Sequence, residues 1–243
     1  MKYLITFSYD GTLFYGYQKQ LEKRTVQGEI EHVLSKILNS NINISASGRT
    51  DAKVHALNQK AHFETLKKVN LKNLKKSMNS LLPNDIYVKK INKVDNNFHA
   101  RFSVVSKEYE YRINIGEYNP FLRNYVYQYN KKVNIKLIEE ASKYFIGTHN
   151  FKTFTKTVDE DKDFVRTINY IKIRCKNKIL YININANGFM RYMVRNIIGT
   201  LLAVSEEKLK PSDILDLINK ENRIYAFKTA NPEGLYLKDV YYK

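Results

Sequence analysis

The stretch Ser47-Gly48-Arg49-Thr50-Asp51-Ala52-Lys53-Val54-His55-Ala56 confines a guanidinium and a carboxylate to one tight turn. Upstream, Asn41-Ile42-Asn43-Ile44-Ser45-Ala46 alternates polar and apolar side chains, which predicts a half-buried strand over 41–46. Gly48 permits a sharp reversal at its end with little steric cost. A carboxylate beside a guanidinium stays ionised well below neutral pH, because the opposite charge favours its charged form. Asp51 so placed has the character of a covalent nucleophile, provided the fold presents it at the floor of a cleft. Arg49 and Asp51 equally suit a plain loop ion pair with a capping carboxylate. Spacing leaves both readings open.

A second stretch, Phe189-Met190-Arg191-Tyr192-Met193-Val194-Arg195-Asn196, reads as the start of a helix over 189–204. On such a helix Arg191 and Arg195 share a face one turn apart. Asn187-Gly188 before it would leave the N-terminus open for a phosphate. An exposed basic face with no ligand fits the same pattern. Tyr109 and Tyr111 alternate along a strand over 107–113 and so point the same way; aromatics there either stack a base or simply pack. With 19 tyrosines in the chain, packing is the default. The five histidines form no metal-ligand spacing, and there is no Gly-rich nucleotide loop, Walker lysine or serine elbow. The residues therefore imply neither a metal nor a cofactor.

The elements that must position these groups follow from periodicity. A strand over 3–9 ends at the turn signal Tyr9-Asp10-Gly11, and Thr25 caps a helix with Ile30, Val33, Leu34, Ile37 and Leu38 on one face. Strands over 41–46 and 61–65 follow, then a helix carrying Leu71, Leu74, Met78, Leu81 and Leu82, stopped by Pro83, and a strand from Asp85. That order, βαββαβ, is ferredoxin-like. The second half repeats it with the strand over 107–113, a helix over 135–146, strands over 167–175 and 179–185, the helix over 189–204, a short helix from Pro211 and a closing strand over 235–242. The expected fold is α+β: two ferredoxin-like halves, 1–103 and 104–243, sharing a mostly antiparallel sheet with helices on one side and the active-site cleft between the halves. The run Asp159-Glu160-Asp161-Lys162-Asp163 reads as a solvated, mobile loop without chemistry.

Composition narrows the partner. Lysine and arginine number 41 against 24 acidic residues, giving a net charge of +17 that favours a polyanion such as nucleic acid. Lysines spread over a surface need bind nothing, however. The hydrophobic content of 43% supports a full core, and the single Cys175 excludes an internal disulfide. No signal-peptide pattern opens the sequence and no apolar run approaches the ~18 residues that span a bilayer, so the expectation is a soluble cytoplasmic protein.

Taken together these segments resemble the tRNA pseudouridine synthase A family, nearly end to end and in its order. The matching residues are Tyr9-Asp10-Gly11 with Phe14, Gly16 and Gln18; Thr25-Val26-Gln27; Gly48-Arg49-Thr50-Asp51-Ala52 with Val54-His55-Ala56; and Leu82-Pro83-Asn84-Asp85-Ile86. They continue through Phe98-His99-Ala100-Arg101-Phe102-Ser103, Lys107-Glu108-Tyr109-Glu110-Tyr111, Arg166-Thr167-Ile168, Met193-Val194-Arg195-Asn196-Ile197-Ile198-Gly199 and Glu233-Gly234-Leu235-Tyr236-Leu237. The resemblance implies isomerisation of uridine to pseudouridine at positions 38 to 40 of the tRNA anticodon stem–loop, by a homodimer without cofactor or metal. It implies Asp51 as the catalytic aspartate, Arg195 as its basic partner, Arg49 as a base- or phosphate-directed residue, Tyr109 as the tyrosine that stacks on the target base, and Leu235 as an apolar wall. Arg191 and Lys53 are further candidates for contacting RNA. Two departures stand out: Lys53 occupies a position where the family usually has glycine, and Tyr17 one where it usually has tryptophan. A lysine at position 53 is strained if the turn there needs a positive φ, and otherwise only adds a cation. An inactive relative that merely holds tRNA would not require Asp51.

Overall fold

Alternating apolar side chains build the first strand, β1 (Lys2–Tyr9), in which Tyr3, Ile5, Phe7 and Tyr9 are buried. The structure, a computed structural model, describes residues 1–156 and 163–243. All but Asp163 of the acidic run over 159–163 lies outside the described residues. Helix α1 (Val26–Leu38) starts where Thr25 accepts a hydrogen bond from Gly28 N–H, and it buries Ile30, Val33, Leu34 and Leu38. Each such side chain contributes about 1.5–3 kcal/mol on burial. Strand β2 is only Ile44–Ala46, shorter than the predicted 41–46. Asn39 closes α1 in the left-handed region, and Ser35 Oγ accepts from Ile42 N–H, so the start of the predicted strand is tied back to the helix. Strand β3 (His55–Glu64) is longer than predicted and begins directly after the Asp51 turn. Helix α2 (Leu71–Leu81), on Leu74 and Met78, leads to β4 (Ile86–Val94).

These elements, with the tail of the chain, form one compact unit of Met1–Val105 and Tyr236–Lys243. Strand β1 lies between β4 and β3, antiparallel to both. Strand β2 pairs with β3 around Phe63, and the closing strand β10 (Leu235–Tyr242) runs parallel to its first residues, Tyr236 facing His55. That parallel pairing puts residues from 236 onward with this unit, whereas the sequence reading assigned all of 104–243 to one half.

The second unit is Ser106–Leu235. Its sheet has the order β5 (Val104–Asn114), β9 (Ile179–Ala186), β8 (Val165–Lys176), β7 (Gly147–Asn150), all antiparallel, with β6 (Tyr127–Gln128) parallel to β5. Leu180, Ile182 and Ile184 are fully buried, as their alternation requires. Helix α3 (Ile135–Lys143) packs on α4 (Met193–Ser205), and α5 (Asp213–Asn219) follows. The chain is thus mixed α+β with mostly antiparallel pairing and, among the described residues, five α-helices. None of them is long and apolar enough to cross a membrane.

Candidate active site

The turn bearing Asp51 is held from three directions. From below, Gln59 Nε2 donates to Gly48 O at 3.0 Å and Ser47 Oγ donates to Gln59 Oε1 at 2.7 Å. From the end of β1, the Tyr9 and Thr50 hydroxyls share a hydrogen bond of 2.8 Å. Burial pushes the Tyr9 phenol up to about 12, so at neutral pH it serves as a neutral hydrogen-bonding post. From the segment after β1, Tyr17 N–H donates to Thr50 O at 3.0 Å and Gly11 N–H to His55 Nδ1 at 3.1 Å.

Two glycines make this docking possible. A methyl group on Gly11 would lie 2.1 Å from Val54 O, inside any allowed contact. Gly16, at φ +98, brings its main chain so close that a methyl group would be 3.1 Å from Thr50 O and 3.4 Å from Ala52 N. Gly11 and Gly16 are therefore the seat of the acidic turn. Tyr17 is buried against it, and its hydroxyl has no hydrogen-bond partner among the described residues.

Within the turn, Val54 N–H donates to Asp51 O at 3.2 Å, and Lys53, the third of its four residues, adopts φ +64. That position of such a turn favours glycine. The conditional expectation for Lys53 is thereby decided on the side of strain. Asp51 is half-buried, while Arg49 and Lys53 are exposed.

The other candidates belong to the second unit. Tyr109 lies on β5 opposite Ile184 and is 9% exposed, with its ring edge-on to Phe189 at 5.0 Å. Tyr111, on the same face, is fully buried and donates to Asn231 O at 2.7 Å, a packing role. Leu235 is buried at the start of β10.

The helix carrying Arg195 begins at Met193, not at Phe189. Tyr192 sits in the left-handed region (φ 66, ψ 0), which interrupts the helix before its first turn. Arg191 is consequently outside the helix, and the predicted shared face of Arg191 and Arg195 is incorrect. What joins them instead is the Tyr192 ring. The guanidinium carbons of Arg195 and Arg191 lie 4.7 and 5.2 Å from its centroid, and Lys156 Nζ lies 5.6 Å away. Arg195 is fixed further by its Nε–H donating to Ala230 O at 2.7 Å, while Ala230 N–H donates to Arg195 O.

Sequence reasoning missed the network behind this helix start. Buried Asn196 donates to Phe154 O at 2.6 Å and accepts from Thr229 Oγ1 at 2.7 Å and Arg223 Nη2 at 3.3 Å. Gly199 lets the 228–230 segment lie on α4; a methyl group there would meet Lys228 O at 2.0 Å. The signal for both was their place in Arg-Asn-Ile-Ile-Gly, but nothing local reveals partners some 30 residues away. Among the described residues no three His, Cys, Asp or Glu side chains gather as a metal site would require.

Residues 5–103 and 141–243 match the family described as tRNA pseudouridine synthase. A protein named tRNA pseudouridine synthase A from Anoxybacillus flavithermus is 45% identical over 238 residues, covering 98% of this chain and 97% of its own. Its namesake from Caldicellulosiruptor bescii is 42% identical, covering 98% of each chain. The one from Malacoplasma penetrans is 43% identical over the whole of both chains.

Proposed function

Since this chain belongs to the tRNA pseudouridine synthase family and is an isomerase acting on tRNA, we propose that it forms pseudouridine at positions 38 to 40 of the anticodon stem–loop, with Asp51 as nucleophile. The observation that carries the assignment is a half-buried carboxylate on a turn seated against Gly11, Gly16 and Tyr17, flanked by exposed Arg49 and Lys53. A carboxylate held in place beside exposed cations is what a nucleophile acting on a nucleotide needs.

The target uridine must leave its stack before its glycosidic bond is reachable, at a cost of roughly a few kcal/mol that contacts to phosphate offset. The Asp51 carboxylate then adds to ribose C1′, the N1–C1′ bond breaks and uracil departs with the bonding pair; alternatively the carboxylate adds first to ring carbon C6 and the N1–C1′ bond breaks afterwards. By either route the base turns until C5 faces C1′, a C5–C1′ bond forms, the aspartate is released, the C5 proton is lost and N1 takes up a proton. Substrate and product contain the same atoms, so the chemistry calls for no cofactor. In this reading Tyr109 stacks on the base, Leu235 walls the pocket, Arg195 balances the carboxylate, and Arg49, Lys53 and Arg191 meet RNA. The working form is a cytoplasmic homodimer.

The test is tritium release from C5-labelled tRNA. Asp51→Asn is expected to lower turnover by roughly 10³-fold or more while tRNA affinity stays within about twofold. Near-normal turnover would remove Asp51 from the mechanism.

A further inference from the structure

Between β1 and α1 the chain makes a finger. Tyr15 N–H donates to Arg24 O at 3.0 Å, and Gln20 and Lys23 face each other as an isolated antiparallel bridge, leaving Leu21 and Glu22 as a two-residue tip. Glu22 takes φ +55, the conformation a tight turn requires. Leu21 at the apex is 90% exposed and Tyr15 below it 58% exposed, with Lys23 Nζ 4.8 Å over the Tyr15 ring. Lys19, although paired with Glu31 at 3.3 Å, keeps its side chain 64% exposed.

The root of the finger is clamped. Arg24 donates to both carboxylate oxygens of Asp85, at 2.7 and 2.9 Å, and to Glu29 at 3.0 Å, with its guanidinium 4.1 Å over Phe14. On the other side Gly16 and Tyr17 rest on Thr50–Ala52 through the contacts already described. The tip therefore holds a fixed place relative to the Asp51 turn.

Turn tips ordinarily carry Gly, Asn, Asp or Ser. Here a leucine stands at the apex of a two-residue turn on a clamped root, with lysines on either flank in a chain of net charge +17. Proteins that open a stacked helix insert an apolar side chain of this kind into a base step, which offsets the cost of unstacking. We propose that Leu21 is a wedge: it enters the tRNA stem beside the target uridine and fills the place that the flipped base leaves, while Lys19 and Lys23 meet the flanking phosphates. The inference rests on the reading that this protein acts on a paired uridine in tRNA. Leu21 is a positioning residue, since it acts on the helix and not on the reacting atoms.

The experiment compares Leu21→Asn, a residue that suits a turn tip, with the unaltered protein on two transcripts. In one the target uridine is paired; in the other its partner base is changed so that the uridine is mismatched and easier to extrude. On the paired transcript the single-turnover rate of the variant is expected to fall roughly tenfold or more, with tRNA affinity within about twofold. On the mismatched transcript it is expected to return to within about threefold of the unaltered protein. Full activity of the variant on the paired transcript, or an equal loss on both, overturns the wedge and leaves the tRNA reading standing. An unaltered protein inactive on both transcripts overturns that reading, and the wedge with it.

Discussion

The acidic turn of the first unit and the basic helix start of the second share one irregularity. Each places a residue other than glycine at φ near +65 within three residues of its functional side chain: Lys53 after Asp51, and Tyr192 before Arg195. A left-handed conformation costs such a residue ~1–2 kcal/mol. The two differ in what holds them there. Around Asp51 close main-chain packing at Gly11, Gly16 and Thr50 O joins side-chain hydrogen bonds from Gln59 and Tyr9. Around Arg195 it is largely side chains, with Asn196 bridging Phe154, Thr229 and Arg223, and three cations around the Tyr192 ring. The main-chain part of the first grip does not depend on which side chains neighbour it. A side-chain network fixes a helix start only while every member is present.

After the loss expected at Asp51 itself, the largest effect lies on the basic side. Arg195→Ala should cut turnover by roughly 10²-fold or more in the tritium-release assay, with little change in tRNA affinity; unchanged kinetics would reject Arg195 as the carboxylate's partner. On the acidic side, Gly16→Ala should displace the turn. Its methyl group would crowd Thr50 O at a φ that alanine disfavours, so a loss of roughly 10- to 100-fold in turnover is expected, with about 1–3 kcal/mol of stability measured by urea unfolding. Wild-type values for that variant would show that the main-chain grip is slack.

Acid should separate the two units. Burial, with His99 and Lys2 nearby, lowers His62 to about 4, and its Nδ1 accepts from Ala100 N–H, a bond that only the neutral ring can make. The unfolded chain binds this proton near its ordinary value of 6.5 and the folded chain only near 4. Stability linked to His62 is therefore intact above pH 6.5 and falls as pH drops toward 4, by roughly 2–3 kcal/mol. In the second unit, Lys131, Lys208 and Tyr129 hold Glu206 down to about 2, so its contribution persists above its ordinary 4.5 and is lost only as pH falls through that value toward 2. Hydrogen exchange between pH 7 and 4 should show first-unit amides losing protection first; equal loss in both units would reject the assignment.

The smallest effect has opposite signs in the two regions. Lys53→Gly relieves strain on an exposed residue and should raise stability by about 0.5–1 kcal/mol, or roughly 1–4 °C in Tm, after allowing for glycine's greater freedom in the unfolded chain. Tyr192→Gly relieves the same strain but deletes the ring on which Lys156, Arg191 and Arg195 converge, and should lower Tm. A fall in Tm for Lys53→Gly would mean that the lysine makes a compensating contact.

Much of the fold was legible because amphipathic periods are local. Leu74 and Met78 mark α2, Thr25 marks the start of α1, and Leu180, Ile182 and Ile184 mark β9. Boundaries failed where a side chain or a φ value overrode the period. Ser35 held Ile42 away from β2, and Tyr192 delayed α4 by four residues, which undid the paired face of Arg191 and Arg195. For the site, the residue types and the ordered motifs pointed to Asp51, Tyr109 and Arg195. The reasons for Gly16, Asn196 and Gly199 in those motifs stayed hidden, because each answers to an atom on a distant segment: Thr50 O, Thr229 Oγ1 and Lys228 O.

By itself the sequence determined the fold class, the family and the set of chemically capable residues, since these depend on residue type, period and order along the chain. It also determined that position 53 carries a lysine where glycine is usual. Only the tertiary structure decided that this position has a positive φ, that glycines 11 and 16 seat the acidic turn, that Tyr192 ends what periodicity would have continued, and that an exposed leucine crowns a clamped finger beside that turn. Those are facts about which atoms from remote segments occupy the same space, and no local pattern encodes that.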